Sequence, residues 1–257
     1  MTNQDRLTLQ EQGYLILPGL IDPDFLDELR HVTDQLVAEE GQNAGSEFKM
    51  EPGCIRLANL VDKGPVFQRV VSHPRVLEAM AAILGDRFKL SSLNYRSTNP
   101  NSHQAQPLHS DTGAIADELG YWVANSVWLL DDFTSVNGAT RFVAGTHKIN
   151  KLPQQVLSDL QAPHPDESLL LGKAGDVAIM NAHMWHGGTA NHTGQPRRAL
   201  HSFYTRFDKP QQQYQKQLLR PQTVNGLSLE LRTILALDDA LNDELCSTTT
   251  GMSGFLK

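Results

Sequence analysis

Residues 121–143 read YWVANSVWLLDDFTSVNGATRFV. The run Tyr121 to Leu130 is rich in Val, Trp and Leu and holds no Gly or Pro, the composition of a strand. Asn137-Gly138 is a strong hairpin turn pattern, since both residues tolerate positive φ, and Thr140 to Val143 begins another strand. The same kind of run recurs at Phe88 to Ser97, Asp176 to Met180 and Arg198 to Phe207, each bounded by Gly, Pro, Asn or Asp. No helical periodicity separates these runs. The expected fold is therefore an antiparallel sandwich or jelly roll, not a parallel sheet.

Outward from that core, the pattern turns helical. Asp22-Pro23 is a helix start, an N-cap acid followed by proline in the first turn. Phe25, Leu26, Leu29, Val32, Leu36 and Val37 then recur at helical spacing, and Gly41 is a stop. A second helix is expected from about Pro74 to Leu84, with Val76, Leu77, Met80, Ile83 and Leu84 inward. After Pro210 the chain reads as helical again, docked by Leu218, Leu219, Leu227, Leu229, Leu231 and Ile234. Beyond about Cys246 it reads as polar and loose. The expectation is a single domain over 1–257. It has a helical front over about 1–86, a β core over about 87–208 and a helical segment over about 211–245.

Composition narrows the function. The chain has 257 residues, 40% hydrophobic and 20% charged, ordinary for a globular enzyme. Its net charge of -7 repels phosphate backbones, so no nucleic-acid partner is expected. Two distant cysteines, Cys54 and Cys246, exclude a disulfide framework and a thiolate zinc site. Free thiols and the lack of a basic-then-apolar N-terminus give a cytoplasmic expectation. The longest apolar stretch, Val76 to Leu84, is too short for a membrane span.

The chemistry lies in the histidines, of which there are ten. Two histidines and a carboxylate on one face of iron(II) leave positions open for a bidentate co-substrate and oxygen. Residues i and i+2 of a strand point the same way, so a His-x-Asp pair can offer both groups to one metal. Two such pairs occur, His109-Ser110-Asp111 and His164-Pro165-Asp166. The prolines around His164 mark a surface loop, which favours the first pair. The third ligand is sought among His183, His186, His192 and His201. His186 heads a His186-Gly187-Gly188 turn whose glycines permit close backbone approach, and His183 is its main rival. A 2-oxo diacid would need a bidentate cation, and Arg197 and Arg198 open the last strand with opposite facing.

Several segments together resemble the phytanoyl-CoA dioxygenase family of Fe(II)/2-oxoglutarate oxygenases, from about Gly13 to Phe207. They are Gln106-Pro107-Leu108-His109-Ser110-Asp111, Trp128 with Leu130-Asp131-Asp132, and Asn137-Gly138-Ala139-Thr140 with Gly145-Thr146-His147-Lys148. Ala174-Gly175-Asp176-Val177, Trp185-His186-Gly187-Gly188, Asn191 and Arg197-Arg198 complete the set. The resemblance implies a double-stranded β-helix, cupin-like core and iron(II) held by His109, Asp111 and His186. It selects Arg197 over Arg198 for 2-oxoglutarate, and it places Gln106 and Trp128 in the co-substrate pocket. It departs at Ala144-Gly145-Thr146-His147, where the family turn is usually Pro-Gly-Ser-His. It departs again at Gly188, where a hydroxyl side chain is common. The implied activity is O2-dependent hydroxylation or a related oxidation of a small molecule. The competing classes are another cupin-type metal enzyme and a catalytically silent binding barrel.

Substrate contacts are nominated from position. Ser92, Asn94 and Arg96 share one face of their strand, so Asn94 and Arg96 are expected at the barrel mouth. Arg56 and Asn59 lie between the helical front and the barrel, where a cover would form. Two arginines there point to an anionic substrate. The oligomeric state is not legible.

Overall fold

The computed structural model describes residues 1–249. In chain order it contains α1 (Asn3–Gln12), β1 (Tyr14–Leu17), α2 (Pro23–Glu40), β2 (Cys54–Leu57), α3 (Pro65–Val71) and α4 (Pro74–Leu84). The strands β3 (Phe88–Thr98), β4 (Val123–Leu129), β5 (Thr140–Val143), β6 (Glu167–Leu169), β7 (Val177–Asn181), β8 (His186–Gly188) and β9 (Arg197–Arg206) follow. Four helices close it: α5 (Gln215–Leu218), α6 (Pro221–Gly226), α7 (Leu229–Ile234) and α8 (Ala240–Thr249).

Local chemistry explains the boundaries. Asp22 accepts a hydrogen bond from the Phe25 N–H and Pro23 sits in the first turn of α2, as its sequence predicts. Gly13 ends α1 at φ 82°, and an added Cβ there would meet His147 Nδ1 at 2.6 Å, so glycine alone lets α1 turn directly into β1.

The strands form two sheets, all of whose pairs are antiparallel. The larger runs β1-β7-β4-β9-β3-β2 and the smaller β6-β5-β8. An antiparallel bridge between His109 and His186 adds the segment around His109 to the small sheet. Alternation along the central strands sorts the core. Trp128, Val177, Ile179, Leu200 and Tyr204 point outward onto Phe25, Leu29, Val76 and Met80 of the helical layer. Val127, Leu129, Ala178, Met180 and Ala199 point inward with Phe133, Phe142, Leu170 and Met184. This is the expected jelly-roll core with flanking helices.

Four expectations need correction. The helical front contributes two strands, β1 and β2, to the edges of the large sheet. Asn137-Gly138 does not close a hairpin: β4 pairs with β7 and β9, while β5 pairs with β6 and β8. Only Gly138 adopts positive φ, 85°, and the Asn137 side chain instead caps the turn by bonding to the Asp132 carbonyl and the Thr134 N–H. The turn thus carries the chain from one sheet to the other. Leu229 is 80% exposed and docks nothing, whereas Leu219, Ile234, Leu235 and Leu237 are buried. Helix α8 continues to Thr249 with Cys246 buried, while residues 250–257 of the tail expected to be loose lie outside the described residues. Among the described residues no helix is long and apolar enough to cross a membrane.

Candidate metal centre

His109 and Asp111 lie on the segment that joins the small sheet's edge. Backbone bonds in both directions between His109 and His186, each 2.9 Å, fix the two histidines side by side. Ser110 points the opposite way, and its hydroxyl donates to the His183 carbonyl at 3.0 Å. The Asp111 N–H donates to the Ala182 carbonyl at 2.9 Å, and the chain then turns through Thr112 at φ 65° and Gly113 at φ 67°. The i, i+2 parity thus delivers both functional side chains to one side.

Three donor atoms converge there. The ligand atoms of His109, Asp111 and His186 all lie within 4.8 Å of one another. Asp111 Oδ1 is 3.7 Å from His109 Nε2 and 3.5 Å from His186 Nε2. Each imidazole is held by its other nitrogen, His109 Nδ1 on the Pro107 carbonyl at 2.9 Å and His186 Nδ1 on the Met184 carbonyl at 2.8 Å. A carbonyl can only accept, so Nδ1 carries the proton and Nε2 presents its lone pair inward. Asn125, from β4 of the facing sheet, donates to Asp111 Oδ2 at 3.1 Å and leaves Oδ1 for the centre. Asn125→Ala is expected to lower metal affinity about 10–100-fold, the usual cost of removing such an orienting partner, as read by an Fe(II) titration.

The protonation states suit a cation. Burial alone would raise the Asp111 pKa, but the charge and hydrogen bond of His186, with His109 and Asn125, hold it well below the carboxylate range. Burial pushes His109 down to about 4, with His186's charge adding, although one edge of its ring faces the open pocket. Burial opposes the charged form of His186 too, yet Asp111 outweighs it and raises that pKa. Metal uptake below the raised pKa must expel one proton from His186, while His109 is already neutral. Fe(II) affinity is therefore expected to fall about tenfold per pH unit on acidification through that range, one proton exchanged per metal. A two-proton slope in pH-dependent titrations would contradict this assignment.

The other histidines are elsewhere. His183 is buried, its Nε2 faces the Trp122 N–H at 3.4 Å, and its ring packs against Tyr121 and Trp122. His164 of the second His-x-Asp pair lies in a loop with Asp166 largely exposed. His192 stands beside His103. His201 lines the cavity from β9 with an unpartnered Nε2, its pKa pushed to about 3 by burial and by Arg96, Arg197 and Arg56.

A cavity of about 320 Å³ opens over the donor atoms. Arg197, Ala199, His201 and Phe203 share the inward face of β9, and the last two line the cavity. Arg197 is 2% exposed, stacks over Phe133 at 4.1 Å and donates to the Gly138 carbonyl. Its Nε has no partner, and no carboxylate lies within ion-pair reach among the described residues. Burial, with Arg96 nearby, pushes its pKa down to about 9. Arg198 faces the helical layer, paired with Asp131 at 2.8 Å and with Asp34 of α2 at 2.8 Å.

Gln106 lines the cavity. Its Oε1 accepts from the Gly188 N–H at 3.0 Å and from Arg96 at 3.3 Å, and its Nε2 donates to Glu51 at 2.9 Å. At Gly188 an added Cβ would stand 3.2 Å from Gln106 Oε1, so a side chain there would require that amide to give by a few tenths of an ångström. Trp128 does not line the cavity. It is fully buried on the outward face of β4, edge-on to Phe25 and His73, with Nε1–H donating to Ser126. Trp128→Ala is expected to cost about 3–5 kcal/mol of stability in denaturant unfolding, through the core and not the pocket.

Of the nominated substrate residues, Arg56, Asn94 and Arg96 line the cavity. Asn59 does not: its amide ties the chain to the Leu218 carbonyl at 3.4 Å. Sequence reasoning missed Glu51, Asn125 and Gln212. Gln212 lines the cavity from the segment after β9 and pairs with Ser92.

The comparisons with known proteins bear on this geometry. The profile of the phytanoyl-CoA dioxygenase (PhyH) family matches residues 9–199. The chain belongs to that family. The PhyH chain is 24% identical over 201 residues to dioxygenase af480 of Aspergillus fumigatus, covering 75% of this chain and 62% of the relative. It is 28% identical over 210 residues to the Fe(II)/2-oxoglutarate-dependent dioxygenase nvfF of Aspergillus novofumigatus, covering 74% and 66%. Among solved structures, HygX from Streptomyces hygroscopicus, crystallised with nickel and 2-oxoglutarate, superposes with TM-score 0.65 at 19% identity over 81% of this chain and 88% of HygX. EctD from S. alaskensis gives 0.67 at 20% identity over 80% and 77%. These two likenesses concern the fold.

Proposed function

We propose that this PhyH protein is an Fe(II)- and 2-oxoglutarate-dependent dioxygenase that hydroxylates a small molecule. The observation that carries the reading is the pairing of an inward-facing Nε2, Nε2, carboxylate-oxygen triad with a buried arginine on the cavity-facing side of β9 that lacks a counter-anion. The donor set fits iron(II), since imidazole and carboxylate are its common ligands in open three-residue sites. The uncompensated guanidinium fits a carboxylate, because a buried charge without a partner is costly and a bidentate anion relieves the cost. Membership of the family and the two fungal dioxygenases support the same assignment.

In this reading His109, Asp111 and His186 hold the metal and Arg197 grips the distal carboxylate of 2-oxoglutarate. When bound, iron(II) and 2-oxoglutarate supply O2 activation, with 2-oxoglutarate losing CO2 to become succinate as a substrate C–H becomes C–OH. The chain's own residues orient and enclose. The Pro107 and Met184 carbonyls fix the imidazole tautomers, and Asn125 fixes the carboxylate rotamer. His201, neutral and unpartnered, offers a hydrogen-bonding nitrogen to whatever fills the cavity. Inward apolar residues such as Val127 and Phe203 exclude water beside the reacting carbon. With Asp111 as the third protein ligand, the position that a halide would need would be filled, so hydroxylation, not chlorination, is expected in chloride buffer. Anaerobic addition of Fe(II) and then 2-oxoglutarate should give one iron per chain and a weak visible charge-transfer band. Iron binding without that band would contradict co-substrate chelation.

A further inference from the structure

We infer that the cavity mouth is an anion-recognition site, and that the substrate is a small, hydrophilic molecule carrying a carboxylate or phosphonate. This deepens the dioxygenase reading and rests on it. Arg56 and Arg96 are direct cross-strand partners in the β2–β3 pair, an arrangement in which like charges repel. One carboxylate serves both: Glu51 Oε2 takes Arg56 at 2.8 Å and Oε1 takes Arg96 at 2.6 Å. Burial alone would raise the Glu51 carboxyl, but the Arg96 and Arg56 guanidiniums outweigh it and hold it down to about 2, so it stays ionised. Lys49, two residues before it, also lines the cavity and makes no ion pair among the described residues. Three cations thus face one anion at the mouth. The deeper site is already balanced if iron(II), Asp111, Arg197 and a doubly charged 2-oxoglutarate occupy it, so the excess charge is left for the substrate.

Size and polarity point the same way. The cavity of about 320 Å³ must hold the co-substrate as well, and it lies at the lower end of the roughly 300–1,000 Å³ usual for small-molecule sites. Beside Arg96, on the same face of β3, the wall is amide and hydroxyl: Asn94 donates to Ser92 at 3.1 Å, and Ser92 donates to Gln212 at 2.5 Å. Gln212 comes from the segment beyond the family match, which ends at residue 199. The apolar lining, Phe48, Val127, Met180, Ala182 and Phe203, is the smaller part of the wall, which disfavours an extended apolar acyl chain or a fused ring system. Glu51 acts as a positioning residue that keeps both guanidinium planes facing the mouth.

The test uses protein loaded with Mn(II) and 2-oxoglutarate, which takes up the metal and Arg197, so that added anions meet only the mouth. Paramagnetic relaxation of the methyl protons of three probes is measured: propionate, methylphosphonate and the neutral propionamide. Both anions are expected to be relaxed in the wild-type protein and propionamide much less. The stronger of the two anions tells carboxylate from phosphonate substrates. Arg56→Gln should cut the relaxation at least fivefold. Lys49→Gln, at an exposed position that does not hold the fold, should cut it at least twofold. If 2-oxoglutarate loads but neither anion is relaxed more than propionamide, or both variants match wild type, the anion site is overturned and the dioxygenase reading stands. If 2-oxoglutarate does not load on the metal protein, the dioxygenase reading fails and takes this one with it.

Discussion

Alanine at His109, Asp111 or His186 is expected to leave the protein folded but without stoichiometric iron and without turnover. Each residue supplies one of three inward donor atoms within 4.8 Å of one another, and two donors do not make a site. The loss should exceed the roughly 10–100-fold that removing an orienting partner costs. His183→Ala is the discriminating control. Its ring is buried against Tyr121 and Trp122 and faces away from the centre, so the variant should lose stability but keep its iron. Iron content by metal analysis after anaerobic loading reads both results. Retained iron in His186→Ala together with loss in His183→Ala would reverse the assignment of the distal ligand.

Arg197→Ala is expected to raise the 2-oxoglutarate concentration needed for half-saturation by a hundredfold or more. Losing one partner of a buried, hydrogen-bonded charge pair costs about 2–5 kcal/mol, and each tenfold is about 1.4 kcal/mol. Arg198→Ala should leave that concentration unchanged. Its guanidinium is spent bidentately on Asp131 and on Asp34 at the helical layer, so its loss is expected to cost stability and not co-substrate affinity. Equal effects of the two variants on co-substrate affinity would overturn the facing of β9 on which the assignment rests.

The fold was legible where one physical rule governs several residues at once. Proline and an acid at Asp22-Pro23 set the start of α2, and the His-x-Asp spacing set two side chains on one side because strand parity requires it. Trp128 shows where that legibility ends. Strand β4 is buried on both faces, with Ala124 and Trp128 outward and Val127 and Leu129 inward, so no polar–apolar alternation marks the cavity side. Asn125 was the available signal: a lone amide in an apolar strand that faces Asp111. Asn137-Gly138 was read as a hairpin because the local pattern cannot tell a turn within a sheet from one between sheets. Glu51 was invisible for a different reason. Its role depends on the register that sets Arg56 opposite Arg96, forty residues apart in sequence, and a loop residue carries no periodicity that reveals such a partner.

The most direct test of the central claim is turnover under ¹⁸O₂, with succinate analysed by mass spectrometry. Iron-loaded protein and 2-oxoglutarate, with or without a prime substrate, should give CO2 and succinate carrying one ¹⁸O atom per molecule, and the His109→Ala protein should give none. Unlabelled succinate, or 2-oxoglutarate left intact by protein that holds its full complement of iron, would contradict the assignment of this site to 2-oxoglutarate-dependent oxygen chemistry.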